Sequence, residues 1–268
     1  MIKRTLPMVV SIVLILTSLC GCTGQSNNEK KYIGIVSAID SEIDVLLDKA
    51  KISRKDTIGN VEYNVGTLFD QPVIICKAGI GKVRASSGVT AMFDKYPISK
   101  VIFTGIAGGV ADDTKVLDEV IATRLVEHDY GIITNEGFEW RSGDPGIGNE
   151  PGEYYPCDKE LVDLAYNASV EVVGDEHTFK GTVATGDQFV ASKEYVEKLK
   201  KEYDAYACEM EGASVAVVCI KYEIPFVVIR ALSDKADGEA HENYENFADV
   251  AGANSSRIVL KMLEAMGK

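Results

Sequence analysis

The chain has 268 residues, 46% of them hydrophobic, 26% charged and 8% aromatic, which excludes a disordered chain, a collagen-like repeat and a multi-pass membrane protein. That length supports a full hydrophobic core in a single domain. With 41 acidic against 28 basic residues, a formal charge of −13 and no cluster of basic residues, the composition argues against a nucleic-acid partner.

Residues 1–22 (MIKRTLPMVVSIVLILTSLCGC) begin with Lys3 and Arg4 and continue through an apolar stretch from Leu6 to Leu19. That stretch is about 14 residues, shorter than the roughly 20 a membrane-crossing helix needs. The pattern over residues 1–21 is that of a secretory signal peptide. Its end, Leu19-Cys20-Gly21-Cys22, resembles a bacterial lipobox, so Cys22 is the expected lipidation site. The folded part is then expected outside the cytoplasm, held to the membrane by an N-terminal lipid anchor; the alternative is an uncleaved apolar anchor. Residues 22–31 are polar and aperiodic and read as a flexible tether, and residues 32–268 as the folded domain.

From Tyr32 the chain alternates two periodicities. Tyr32–Ala38 (YIGIVSA) reads as a buried strand, followed by helical spacing over Asp40–Ala50. Extended segments at Val61–Leu68 and Pro72–Lys77 precede a helix over Val83–Tyr96. Lys100–Thr104 is a second buried strand running into Gly105-Ile106-Ala107-Gly108-Gly109, and Val116–Arg124 is again strand-like. Residues 131–157, rich in Gly, Pro, Asn and Asp, read as a long loop. Helices are expected at 158–169, 192–202, 211–222 and 243–266, and strands at 178–184, 205–209 and 225–231. Alternating strands and helices predict a single-domain α/β fold with a largely parallel sheet, whose ligand sits beyond the carboxyl ends of the strands.

Attention therefore falls on residues that follow strands. Asp40 and Glu42 follow the first, where Ser37 and Asp40 have capping-box spacing; compensation of a helix dipole is the plain alternative to chemistry. Gly79-Ile80-Gly81-Lys82 is neither a dinucleotide fingerprint nor a P-loop, and reads as a tight turn into a helix. Gly108 and Gly109 allow either a sharp turn or a close approach of backbone to ligand. Glu209 and Glu211 stand where an apolar strand meets an apolar helix, surroundings in which acids need partners. Arg230 and Asp234 end another buried strand, either as a structural ion pair or as part of a site. His128, His177 and His241 share no metal-ligand spacing, and Cys76, Cys208 and Cys219 lie in apolar segments as expected for buried thiols. Carboxylates at separate strand ends point to acid–base work on a small ligand.

The ordered segments IGIVSAIDSEID, CKAGIGKVRA, FTGIAGG, ATGDQFV, CEMEGASVA and FVVIRALSDKAD resemble the nucleoside phosphorylase/hydrolase superfamily, and within it the bacterial 5′-methylthioadenosine/S-adenosylhomocysteine nucleosidases. The similarity extends from about Tyr32 to Met266. It implies a twisted mixed central sheet flanked by helices, a homodimer, no cofactor and no metal. The implied reaction is hydrolysis of the N-glycosidic bond of a purine nucleoside, releasing adenine and a 5-substituted ribose. By motif position the resemblance makes Glu42 the carboxylate that deprotonates water, helped by Arg230. Glu211 would accept hydrogen bonds from ribose hydroxyls, with Met210 packed on the sugar. Asp234 would protonate purine N7, supported by Ser233. Phe189 would stack on the base and the Val190 backbone would meet its edge. Ile39, Ile80 and Tyr244 would line the pocket for the 5′ substituent, and a segment near Ile132–Ile133 would cover the partner subunit's pocket.

Two positions depart from the family pattern: Ile106 stands where Ser is frequent, and loop 131–157 is long. Two other readings stay open, a nucleoside phosphorylase and a non-catalytic nucleoside-binding lipoprotein. The acidic SAIDSE segment counts against a phosphate site, and the intact acid positions count against a mere binder.

Overall fold

Runs of β-branched residues build the centre of the molecule. The computed structural model describes residues 31–141 and 154–267. Cys22, the signal peptide and most of the tether fall outside these residues, as does 142–153 of the expected loop. The chain proceeds through Tyr32–Ser37 (β1), Asp44–Lys49 (α1), Lys51–Ile58 (β2), Val61–Leu68 (β3), Gln71–Lys77 (β4) and Lys82–Lys95 (α2). Ile98–Gly109 (β5), Glu119–Glu127 (β6), Gly131–Thr134 (β7), Gly137–Trp140 (β8) and Tyr155–Pro156 (β9) follow. The last third holds Lys159–Val173 (α3), Thr178–Thr185 (β10), Lys193–Tyr203 (α4), Ala205–Glu209 (β11), Gly212–Lys221 (α5), Phe226–Asp234 (β12) and Ala240–Met266 (α6).

The central sheet runs in the order β11-β10-β6-β12-β5-β1-β4-β3-β2, with β9 paired to β6. It is mixed: β1 is parallel to β4 and β5, and β12 is parallel to β5 but antiparallel to β6. The long β5 curls until Gly108 and Gly109 pair with Cys208 and Ala207 of β11, closing a circuit of paired strands. Gly108 is also the register partner of Asp234. One glycine thus brings the end of β12 and the end of β11 to the same place. One face of the sheet packs on α2 and α5 through Ala85, Val89, Met92, Ala213 and Ala216. The other packs on α1, α3 and α6 through Leu46, Leu161, Ile258, Val259 and Met262. Every residue of β12 is buried, which explains the apolar run Phe226–Ile229 at its start.

Several boundaries differ from those expected. The Asp40–Ala50 helix is split into a 3₁₀ turn, Asp40–Glu42, and α1. The Ser37–Asp40 box does not form: Glu42 itself takes the backbone N–H of Ile39, and Asp40 turns outward to Lys77. β2 is an added edge strand whose charged, mostly exposed sequence lacks the apolar alternation that marks a strand. Residues 131–140 form a hairpin turning at Gly137, where φ is 121°, so part of the expected loop is ordered strand. β6 starts three residues later than the reading at Val116, because Leu117 sits in a turn with φ 74°.

Candidate active site

The carboxyl ends of β1, β10, β11 and β12 and the last turns of β5 surround one cavity of about 490 Å³. Glu42, 3% exposed, reaches it from the 3₁₀ turn after β1. Its Oε2 accepts from the N–H groups of Ala38 (2.7 Å) and Ile39 (3.0 Å), and its Oε1 from that of Ile106 (3.0 Å). An ionised carboxylate has about four acceptor sites, so these three fixed donors leave one. Burial raises the Glu42 carboxyl above its ordinary value, while the Arg230 charge and the three N–H groups oppose the rise. Gly105 is required beside it, because a Cβ there would stand 2.8 Å from Glu42 Oε1.

Asp234 ends β12 on another wall and is 2% exposed. Its Oδ2 accepts from Ser233 Oγ (2.8 Å) and its Oδ1 from the N–H of Ala236 (2.7 Å). Burial again raises its carboxyl, and here too the hydrogen bonds pull the other way. Glu211, just before α5, accepts from the N–H of Gly81 (2.8 Å). Burial first, and repulsion from Glu209 second, push it up to about 8.

Arg230 stands behind the cavity wall. It is 1% exposed, and its guanidinium lies 4.2 Å from the Phe103 ring centroid. Its Nη2 and Nε donate to Glu209 Oε2 at 2.7 and 3.2 Å. The same oxygen accepts from the N–H groups of Gly212 (2.7 Å) and Glu211 (3.1 Å), so Glu209 caps α5. Thr185 Oγ donates to the other oxygen of Glu209. The Arg230–Asp234 ion pair considered from the sequence is therefore replaced by Arg230–Glu209. Arg230 acts on Glu42 through its charge and does not line the cavity.

The remaining expected residues, Ile39, Ile80, Gly108, Phe189, Val190, Met210, Ser233 and Tyr244, all line the cavity. The Phe189 ring packs edge-on to Tyr244, with centroids 5.8 Å apart, and lies 4.9 Å from the His241 ring. Ile106 contributes both its side chain to the wall and its N–H to Glu42. Gln188, Glu209, His241 and Glu245 also line the cavity and went unassigned in the sequence. His241 and Glu245 lie four apart on α6, and Tyr244 lies three after His241, so helical spacing alone would have grouped them. Among the described residues no set of His, Cys, Asp and Glu side chains is arranged to hold a metal ion. The arrangement offers a base on one wall, an acid on another, and apolar surface between.

With that geometry in view, the comparisons with known proteins are specific. The model of the phosphorylase superfamily matches residues 32–264. A 5′-methylthioadenosine/S-adenosylhomocysteine nucleosidase of Bacillus cereus (strain B4264) is 37% identical over 236 residues, 87% of this chain and 99% of the relative. The nucleosidase of Neisseria meningitidis, solved in complex with methylthio-immucillin-A, superposes with a TM-score of 0.79 at 30% identity, covering 88% of this chain and 99% of that one. Futalosine hydrolase of Helicobacter pylori superposes with a TM-score of 0.77 at 32% identity, covering 88% and 98%.

Proposed function

The chain belongs to the phosphorylase superfamily, and on that premise we propose that it hydrolyses the N-glycosidic bond of 6-aminopurine nucleosides of the 5′-methylthioadenosine and S-adenosylhomocysteine type. The observation that carries this reading is the meeting of Glu42 and Asp234 on different walls of one cavity, each carboxyl raised by burial. Glycosidic cleavage passes through an oxocarbenium-like state, so the leaving group needs an acid and the water a base on the other face. Glu42 takes a proton from water as the oxygen bonds to C1′. The C1′–N9 electron pair moves into the purine ring, and Asp234 delivers its proton to N7. Glu211 accepts from the ribose hydroxyls beside Met210, Phe189 stacks on the base, and the Val190 backbone meets its edge. Ile39, Ile80 and Tyr244 form the wall for the 5′ substituent.

A phosphorolytic reaction would need a cationic pocket for phosphate. Among the described residues that line the cavity there is no Lys or Arg, and Arg230, behind its wall, is engaged by Glu209. Incubation with methylthioadenosine in phosphate-free buffer should release adenine, followed by chromatography. Asp234→Asn should retain nucleoside affinity and lose about 10²–10⁴ in kcat, the usual contribution of a proton-transfer group. Activity that appears only when phosphate is added would overturn the hydrolase.

A homodimer is part of the same proposal. Ile132 and Ile133 on β7, 48% and 79% exposed, with the exposed Ile80 and Val83, are the apolar surface that supports it. Sedimentation at micromolar concentration showing only monomer would remove it. The lipid anchor at Cys22 remains a proposal from the sequence, tested by mass spectrometry of the membrane fraction.

A further inference from the structure

Lys235 follows the proposed acid directly, yet it does not line the cavity. Its half-buried amine turns away and donates to the carbonyls of Ala111 (2.7 Å) and Thr114 (2.8 Å) and to Thr114 Oγ1 (2.8 Å). All three donor sites of the ammonium are therefore used on one loop. That loop is itself tied to β12: the N–H of Leu117 donates to the Leu232 carbonyl (2.7 Å), and the N–H of Leu232 to the Asp118 carbonyl (2.8 Å). On the other side of Lys235, Ala236 adopts φ 53°, a left-handed conformation that costs energy for a residue with a Cβ. This conformation aims the Ala236 N–H at Asp234 Oδ1. The Ala236 carbonyl is held in turn by the N–H of Ser192 (2.8 Å).

The neighbouring strand is shaped to admit the turn. A Cβ at Gly108 would lie 2.8 Å from Ala236 Cβ and 2.9 Å from Asp234 Oδ1. One at Gly109 would lie 3.1 Å from Lys235 Cδ and 3.2 Å from its Nζ. Burial holds the Lys235 amine below its ordinary range, while the charges of Asp112, Asp118, Asp113 and Asp237 oppose that fall.

We propose that Lys235 is a positioning residue for Asp234: its ammonium clamps the turn Asp234–Ala236 to the loop 111–114, holding the carboxyl at the place where a purine N7 must receive its proton. The proposal rests on the nucleosidase reading and deepens it. Its signature is dependence on the leaving group. A purine riboside already methylated at N7 carries a positive charge on its ring, so its base takes the C1′–N9 electron pair, departs neutral and needs no proton, whereas methylthioadenosine does.

The test measures kcat and KM for parent, Lys235→Met and Thr114→Val on both substrates. A displacement of about 1 Å costs on the order of 10²-fold in rate. Lys235→Met should therefore lose between about ten- and hundredfold in kcat on methylthioadenosine, with KM within about twofold, and keep nearly full activity on the N7-methylated riboside. Thr114→Val, which removes one acceptor and keeps the shape, should show the same pattern at a few-fold. Unchanged kcat, or equal loss on both substrates, overturns the clamp. Asp234→Asn on the same pair separates the two proposals: equal loss there would refute the acid assignment itself, whereas selective loss in Asp234→Asn without it in Lys235→Met would refute only the clamp.

Discussion

Arg230→Met tests the electrostatic frame of the cavity. The change removes the Nη2 and Nε bonds to Glu209 and leaves that carboxylate 7% exposed with no cation in contact. Breaking a buried ion pair from one side costs about 3–5 kcal/mol, a large share of the roughly 5–15 kcal/mol that holds a domain together. For a chain of this size about 1 kcal/mol corresponds to roughly 2–4 °C, so the melting temperature should fall by roughly 6–20 °C. The charge has a second readout. Arg230 lowers the carboxyls of Glu42 and Glu211, so its loss lets both rise further. The low-pH limb of kcat/KM, which follows ionisation of Glu42, should shift to higher pH. Adding Glu209→Gln removes the orphaned charge and should recover part of the stability, while the limb stays displaced because Glu42 still lacks its cation. Calorimetry and a pH–rate profile on all three variants decide the matter. A single variant that melts within about 2 °C of the parent, or a double variant no more stable than the single, would refute the frame.

Gly105→Ala places a Cβ 2.8 Å from Glu42 Oε1 and 3.2 Å from Arg230 Nη1, so the carboxylate must shift. Steady-state kinetics should show kcat lower by about 10²-fold with little change in KM; parental activity would mean that the base has slack. Glu211→Gln tests linkage. The folded-state carboxyl stands at about 8, above its ordinary 4.5, so its contribution to stability is present at low pH and lost as pH rises from about 4.5 through 8. The melting temperature of the Gln variant relative to parent should therefore climb between pH 5 and pH 9, and a flat difference would contradict the raised value.

Much of the fold was readable because buried strands announce themselves. FVVIRA in β12 has no polar alternation to confuse with a surface, and every residue there is buried. β2 was invisible for the opposite reason: an edge strand of Lys, Arg, Asp and Thr pairs through its backbone, which leaves no mark in the side-chain pattern. The acids that line the cavity were legible as polar residues in apolar surroundings. Their partners were not. Glu209 and Arg230 are 21 residues apart and meet inside the circuit in which β5 pairs with both β12 and β11. Nothing in local spacing distinguishes Arg230 paired with Glu209 from Arg230 paired with Asp234.

The division of labour among the acids follows from how many donors each one has. Glu42, Glu209, Glu211 and Asp234 all line one cavity, and Arg230 is in contact with just one of them, Glu209. The other three are buried without a cation at contact distance; the Arg230 charge reaches Glu42 and Glu211 from behind the wall, and what separates the three is the set of fixed dipoles on each. Glu42 has three backbone N–H groups converging on it, the arrangement that best sustains an anion, and that suits a base. Asp234 has one N–H and one hydroxyl; the hydroxyl can reverse and accept, so the site tolerates either protonation state, which is what a proton donor needs in order to cycle. Glu211 has a single N–H and the negative neighbour Glu209, and it keeps its proton near neutrality until a ligand supplies donors. Ribose hydroxyls are such donors. The carboxyl that binds sugar is therefore the one most dependent on the sugar for its charge, and the carboxyl that activates water is the one least dependent on it.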